Sequence, residues 1–269
     1  MISSIIRAYN IEDIIKKLGN VKQVSSGTGH TVFLLNDGTC MAVGSNQNGQ
    51  LGDGTLTSRK FPVMVQGISN CKSISCGNIS TVFLLNDGTC KVVGRGLLGD
   101  GNDDTINRPS PMPIQNLSNC KAISSGDSGS IVFLLNDGTC KAVGYNAWGG
   151  LGDGTTINKS TPVMVQGISN CIGISVGMGF SVFLLNDGTC KAVGVNNYGQ
   201  LGDGTTIDRT SVVDIPDILQ CVMASPGDFS TTFVLSDGSC MAVGFNGSGQ
   251  LGDGTTINRI TLDYVMVQN

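Results

Sequence analysis

The sequence predicts an all-β protein: a β-propeller of about five four-stranded antiparallel blades, one per 50-residue repeat, preceded by a short N-terminal helix. The phrase VFLLNDGTC begins at Val32 and recurs unchanged at Val82, Val132 and Val182, and a weaker copy, TFVLSDGSC, begins at Thr232. Each repeat carries four strand-sized segments without a helical pattern. Glycine fills 39 positions while charged residues make up only 13%, as expected for strands joined by many tight turns. A small sheet that cannot bury itself alone, repeated at a fixed period, is typical of a propeller.

The four strands can be placed in order within one repeat. In the fourth copy they begin with CIGIS, SVFLL and CKAVG, and the fourth strand is clearest elsewhere as PVMVQG, at residues 62–67 and 162–167. Asp-Gly between the second and third segments is a strong hairpin signal, because these residues tolerate a positive φ. Proline at the start of the fourth segment indicates an outer edge, where one N–H need not be paired.

The chain divides into residues 1–19, an N-terminal anchor or cap segment, and residues 20–269, the five-repeat propeller. Asn10 can cap a short helix that Gly19 ends, and four apolar residues share one face of it: Ile11, Ile14, Ile15 and Leu18. The segment can cover the first blade, or it can anchor the chain to a particle or to other subunits.

Composition narrows the partners. The formal charge is −4 and no Lys/Arg run exceeds Lys16-Lys17, so we expect no nucleic-acid partner. No run of about 18 apolar residues occurs, so we expect no membrane insertion. The N-terminus lacks the pattern of a secretory signal, and we expect cytoplasmic synthesis with reduced cysteines.

Nine of the ten cysteines recur in two repeat columns, and only Cys76 stands apart. The columns are Cys40, Cys90, Cys140, Cys190 and Cys240, and Cys71, Cys120, Cys171 and Cys221. Within one blade the two columns lie two strands apart, about 9–10 Å, which exceeds the ~7 Å limit for a disulfide. Val21 replaces cysteine in the first repeat, so we interpret the columns as core packing.

The sequence offers little for catalysis. His30 is the only histidine, no Gly-x-Ser-x-Gly elbow or phosphate-binding glycine loop occurs, and the cysteines have no nearby base. We therefore expect a protein that is not an enzyme, with no catalytic residues and no cofactor. A metal site is also not expected, and the recurring loop aspartates are interpreted as shaping tight turns: Asp53, Asp100, Asp153, Asp203 and Asp253.

Residues 185–205, LNDGTCKAVGVNNYGQLGDGT, resemble the repeat of the regulator-of-chromosome-condensation family, and so does GTGHTVFLL at residues 27–35. The resemblance covers about residues 20–269 and implies a propeller of roughly 50-residue blades. The best-known member of the family has seven repeats and a basic tail and exchanges nucleotide on a small GTPase. This chain has five repeats and no basic tail, valine replaces the family's aromatic before the strand-end glycine, and repeat two shortens its loop to VGRGLLGDG. Five units can close into a ring or leave an open arc completed by another subunit; we favour closure.

The repeats differ most in two segments, the first–second and the third–fourth strand connections, which emerge on the same side of a four-strand meander. Aromatic residues and one arginine in these segments are the candidate binding residues, because exposed aromatic and arginine side chains are frequent interface anchors. They are Arg95, Tyr145, Trp148, Phe180, Tyr198, Phe229 and Phe245. Free drift of loops and packing on the next blade explain the same pattern.

The first functional hypothesis is a non-enzymatic propeller that holds a protein or glycan receptor. Its setting would be a receptor-binding or structural component of a phage tail or contractile bacteriocin, assembled in the cytoplasm and released in a virion or phage-like particle. The alternative is a regulator of a small GTPase, of the guanine-nucleotide-exchange type, or a protein inhibitor of an enzyme.

Overall fold

A computed structural model describes residues 19–266. The predicted helix and the anchor or cap segment fall almost entirely on residues 1–18, outside the described range. Within that range the chain forms twenty strands and no helix, so it contains no helix that could cross a membrane. The strands form five separate four-stranded antiparallel sheets, each in sequence order, which confirms one blade per repeat.

The strands of each blade run consecutively from the innermost to the outermost. Blade 1 comprises β1 (Val21–Ser26), β2 (His30–Leu35), β3 (Cys40–Gly44) and β4 (Arg59–Met64). Blade 2 comprises β5 (Cys71–Cys76), β6 (Ser80–Leu85), β7 (Cys90–Gly94) and β8 (Arg108–Pro113). Blade 3 comprises β9 (Cys120–Ser125), β10 (Ser130–Leu135), β11 (Cys140–Gly144) and β12 (Lys159–Met164). Blade 4 comprises β13 (Cys171–Val176), β14 (Phe180–Leu185), β15 (Cys190–Gly194) and β16 (Arg209–Asp214). Blade 5 comprises β17 (Cys221–Pro226), β18 (Ser230–Leu235), β19 (Cys240–Gly244) and β20 (Arg259–Tyr264).

The Asp-Gly hairpins form as expected. In blade 1, Gly38 has φ 79°, and Asp37 accepts hydrogen bonds from the Thr39 N–H (2.9 Å) and hydroxyl (2.7 Å). The fourth strand, by contrast, starts three residues earlier than predicted, because Arg59 already pairs with Gly44 beyond a bulge. The main chain then leaves the ladder at Gln66, whose N–H donates to the Gly52 carbonyl of the same repeat's loop.

Four hydrophobic clusters hold the five blades together, one at each junction between consecutive blades. The second-strand phenylalanine packs on the preceding blade and is fully buried in four blades: Phe83, Phe133, Phe183 and Phe233. The inner strands are also joined by polar contacts, such as the Cys76 N–H donating to the Ser25 hydroxyl (3.0 Å).

Blades 1 and 5 do not close the ring. On blade 1, Val24 is 53% exposed, whereas the equivalent Ile74 is 2% exposed, and Phe33 is only half-buried. On the opposite end, Val265 is 36% exposed where Val65 is 3% exposed. No fifth cluster joins these two faces within residues 19–266. The expectation of a self-closed ring is therefore wrong, and the five blades form an open arc.

Glycines near the axis show where the arc ends. The first four inner strands are each followed by a glycine so close to the next blade that a Cβ would strike it; at Gly126 the Cβ would lie 2.4 Å from the Gly177 carbonyl oxygen. At Gly227 of blade 5 the nearest atom would be 3.7 Å away, in Ser230 of the same blade. The close approach therefore repeats at every junction and stops at blade 5.

We predict that Gly126→Ala destabilises the protein by about 1–3 kcal/mol, because the added methyl group overpacks the junction between blades 3 and 4. Gly227→Ala is the matched variant, and we expect it to leave the free energy of unfolding unchanged or slightly raised. Denaturant unfolding of both variants measures the difference. Equal destabilisation by the two substitutions would mean that blade 5 does pack on blade 1.

Candidate protein-binding face

Both variable connections of each repeat lie on one side of the arc, which we call the loop face. The third–fourth connection starts with a backbone hydrogen bond onto the first–second connection: Ser45 N–H donates to the Gly29 carbonyl (2.8 Å), and Phe245 N–H to the Phe229 carbonyl (2.9 Å). The antiparallel pairing that brings the start of the second strand opposite the end of the third imposes this arrangement.

An asparagine organises the loop of four repeats from inside. In blade 1 the Asn46 amide donates to the Asp53 carboxylate (3.0 Å) and the Thr55 carbonyl (3.0 Å), and its oxygen accepts from the Leu51 N–H (2.9 Å). Asn146, Asn196 and Asn246 repeat these bonds and are buried. The Asn-x-x-Gly-Gln-Leu-Gly-Asp-Gly pattern is therefore a loop scaffold.

The recurring loop aspartates pair with a cation at the start of the fourth strand. In blade 1, Arg59 Nε donates to Asp53 (2.7 Å), and Thr55 donates to the same carboxylate through its N–H and hydroxyl. Burial alone would raise the pKa of Asp53, but these hydrogen bonds and the Arg59 charge outweigh it and hold the pKa below its ordinary value. This geometry agrees with the turn-shaping role expected for these aspartates.

Repeat two has the most buried of these pairs. Arg108 binds Asp100 through two hydrogen bonds, Nε to Oδ2 at 2.5 Å and one terminal nitrogen to Oδ1 at 2.9 Å. Both side chains are only 3% exposed. Asn102 adds a hydrogen bond to the same carboxylate (2.8 Å). The pair replaces the missing asparagine as the internal support of this loop.

We predict that Asp100→Asn lowers the free energy of unfolding by roughly 3–5 kcal/mol, because Arg108 would keep its charge in a buried site without an anion. Denaturant unfolding at neutral pH measures this loss. Asp214→Asn is the control, since Asp214 pairs with Lys191 at the surface and its side chain is 81% exposed. A change no larger than that of the control would show that the Arg108 charge is accommodated in another way.

The same repeat opens a cavity on the loop face. The segment from Gly94 to Leu98 is three residues shorter than the one from Gly44 to Leu51 in blade 1. A cavity of about 200 Å³ lies there between blades 2 and 3. Its lining joins apolar side chains to charged and polar ones: Ile79, Leu97 and Tyr145 with Arg95, Asp104, Asp127 and Asn158.

Arg95 is placed for an intermolecular contact. Its Nε donates to the Asp104 carbonyl (2.9 Å), which fixes the side chain at the cavity rim, and the residue is exposed. Tyr145 lines the same cavity and is 38% exposed. The structure thus brings together two of the sequence-predicted binding residues.

The remaining candidates form two aromatic groups. Tyr145 contacts Trp148 edge-on, with ring centroids 5.3 Å apart. Tyr198 contacts Phe229 (5.3 Å) and Phe245 (5.1 Å) in the same way, linking blades 4 and 5. Phe229 is 37% exposed, while Tyr198 and Phe245 are half-buried.

Phe180 does not belong to the exposed face. It is fully buried in the junction between blades 4 and 5, so its prediction as a surface anchor is corrected to core packing. Trp148 is partly buried against that cluster, and a Cβ at Gly179 would lie 2.5 Å from its ring. Sequence reasoning missed Ile79, Leu97, Asp104 and Asp127, although the shortened loop of repeat two was a signal for them.

His30 supports the junction between blades 1 and 2. It is 3% exposed, and its Nε2 lies 2.9 Å from the Thr81 hydroxyl, which itself donates to the Gln50 carbonyl. Nε2 therefore donates, and the buried Nδ1 has no partner among the described residues. Burial lowers the pKa of His30 to about 4, against a smaller opposing effect of a backbone hydrogen bond with Ser80. This neutral, enclosed imidazole packs between blades.

We predict that His30 makes stability fall as the pH falls from 7 to 5. The unfolded chain takes up a proton near the ordinary pKa of 6.5, but the folded chain does so only near 4. The stability contribution is thus present above 6.5 and decreases by about 2 kcal/mol between pH 7 and pH 5. His30→Gln should flatten the profile of unfolding free energy in this window. A profile that keeps its slope in the variant would assign the dependence to other groups.

No cluster of three or more His, Cys, Asp or Glu side chains suited to a metal ion occurs within residues 19–266.

Comparisons with known proteins place this architecture. The family model described as "Regulator of chromosome condensation (RCC1) repeat" matches residues 21–50 and residues 37–84. The chain carries RCC1 repeats on an RCC1-like β-propeller fold. It is similar to yeast RCC1 (Prp20) in a complex with Kap60, with 17% identity and a TM-score of 0.79 over 92% of this chain and 61% of that one. It is also similar to human WBSCR16, with 20% identity and a TM-score of 0.79 over 92% of this chain and 67% of that one.

A second structure of Prp20p, from Saccharomyces cerevisiae, shows the same likeness, with 17% identity and a TM-score of 0.78 over 92% of this chain and 63% of that one; its description concerns binding to Gsp1p and histones. The chain thus spans about three fifths to two thirds of the length of these RCC1-like structures. No curated protein sequence matches it.

These similarities correct the first functional hypothesis. The interpretation as a glycan- or receptor-binding component of a phage tail or contractile bacteriocin is wrong, because the RCC1-like repeats and the Prp20 structures favour the regulator alternative.

Proposed function

We propose that the chain is a protein-binding propeller that regulates a small GTPase, of the guanine-nucleotide-exchange type. The observation that carries the proposal is the RCC1-like architecture, matched over 92% of the chain to Prp20 with a TM-score of 0.79. Prp20p is described with Gsp1p and histones, and Prp20 with Kap60, so this fold presents surfaces to proteins. The resemblance of the repeats to those of a GTPase regulator supports the same activity here.

The cavity between blades 2 and 3 is the contact site that we propose on the loop face. Arg95 at its rim and Tyr145 in its wall are the residue types that dominate protein interfaces. Ile79 and Leu97 supply apolar walls that could take up a partner's side chain, and Asp104 and Asp127 supply negative charge around it. The function requires binding of a protein and no covalent chemistry on the propeller.

The test is release of a fluorescent GDP analogue from purified small GTPases, with Gsp1p first, in the presence of the full chain. We expect faster release with the wild-type chain. Tyr145→Ala and Arg95→Ala should each weaken the interaction by roughly 30-fold, which equals the ~2 kcal/mol of an interface hot spot.

Phe61→Ala is the matched control, because Phe61 is a 61% exposed aromatic on the outer strand β4 and lies away from the cavity. It should leave release and binding unchanged. Binding without any effect of the two cavity substitutions would keep the function and reject the site. No binding and no accelerated release with any small GTPase tested would reject the function.

A further inference from the structure

Cysteines face each other across every junction between blades. The third-strand cysteine of one blade and the first-strand cysteine of the next are in thiol–thiol hydrogen-bonding contact in four places: Cys40 with Cys71, Cys90 with Cys120, Cys140 with Cys171, and Cys190 with Cys221. Both members of each pair lie in the same hydrophobic cluster. All eight are free thiols in this structure.

A backbone hydrogen bond sets the separation of each pair. The N–H of Cys71 donates to the carbonyl of Gly38 (2.9 Å), and Gly38 lies two residues before Cys40. The same bond occurs at Cys120 to Gly88 (2.9 Å), Cys171 to Gly138 (3.0 Å) and Cys221 to Gly188 (2.9 Å). It brings the main chains of paired cysteines close together, as a disulfide with Cα atoms about 4.4–6.8 Å apart requires.

Packing alone does not require sulfur on both sides of a junction, since any small apolar side chain would fill the space. On blade 1, where no preceding blade faces the first strand, valine occupies the column at Val21. At the other end of the arc Cys240 is half-buried and faces no cysteine among residues 19–266. The paired arrangement is therefore specific to the four junctions.

We propose that these four pairs are redox sites, in which a low-molecular-weight disulfide of the glutathione class closes one inter-blade disulfide per junction. The proposal depends on the blade geometry and is independent of the GTPase partner. Oxidation would link each blade covalently to the next, and reduction by thiols would release it.

The pair in the last junction shows how the exchange would start. The hydrogen bond from Cys190 lowers the pKa of the Cys221 thiol to about 7, although burial opposes this. The Cys221 thiolate attacks one sulfur of the oxidant, whose S–S bond breaks and releases one thiol. Cys190 then loses its proton, its sulfur attacks the Cys221 sulfur of the mixed disulfide, and the second thiol leaves. Two protein thiols are oxidised, and one oxidant disulfide is reduced to two thiols.

The experiment treats the reduced full chain with oxidised glutathione at mildly alkaline pH under native conditions. Intact-mass measurement should show the loss of two hydrogens for each pair that closes, and non-reduced peptide mapping should link only the four predicted pairs. The oxidised protein should unfold at a higher temperature, because each link restricts the unfolded chain, and dithiothreitol should reverse the shift.

Cys221→Ser and Cys240→Ser form the matched comparison, since both remove one thiol from the last blade and only Cys221 has a facing partner. Cys221→Ser should abolish the Cys190 link and keep the other three, whereas Cys240→Ser should keep all four. Links within a blade, such as Cys71 to Cys90, would overturn the proposal. So would thiols that react with N-ethylmaleimide while forming no disulfide, or thiols that react with neither reagent over hours.

Discussion

Each blade exposes apolar side chains on both of its faces and can bury them only against a neighbouring blade. This constraint governs the rest of the molecule. It fixes phenylalanine on one side of the second strand and small aliphatic or thiol side chains on the facing side. It also requires glycine at the inner end of each junction, where the carbonyl of the next blade leaves no room for a Cβ. Because both faces are committed in this way, sequence variation is confined to the connections.

The loop scaffold separates support from recognition on the loop face. Buried asparagines and aspartate–cation pairs hold the backbone from below, so the side chains above them can change without loss of the turn. Repeat two uses this freedom most. Its loop lacks the asparagine, is supported by the Asp100–Arg108 pair, and leaves space for a cavity that no other repeat has in the same form.

Much of the fold was accessible from sequence, because the 50-residue period and the Asp-Gly hairpins are local signals. The strand order and the common side of the two variable connections were correct for the same reason. Closure was not accessible, since it depends on the rotation between blades, which the copies do not encode in any one residue. Phe180 was misplaced because an aromatic at the edge of a variable segment can point into the junction as easily as outward. The cysteine pairs were missed because spacing was considered within a blade, whereas the partners belong to consecutive blades.

The unclosed ends have a mechanical meaning. In a sealed ring, any change of angle at one junction must be cancelled at the others, so the ring is stiff. In this arc the four junctions act in series, and small rotations of the same sign add up at the mouth between blade 1 and blade 5. A shift of a few tenths of an ångström at each junction, too small to disturb its packing, would alter the width of that mouth several times as much. The molecule is therefore a spring whose stiffness resides in the four clusters between its blades.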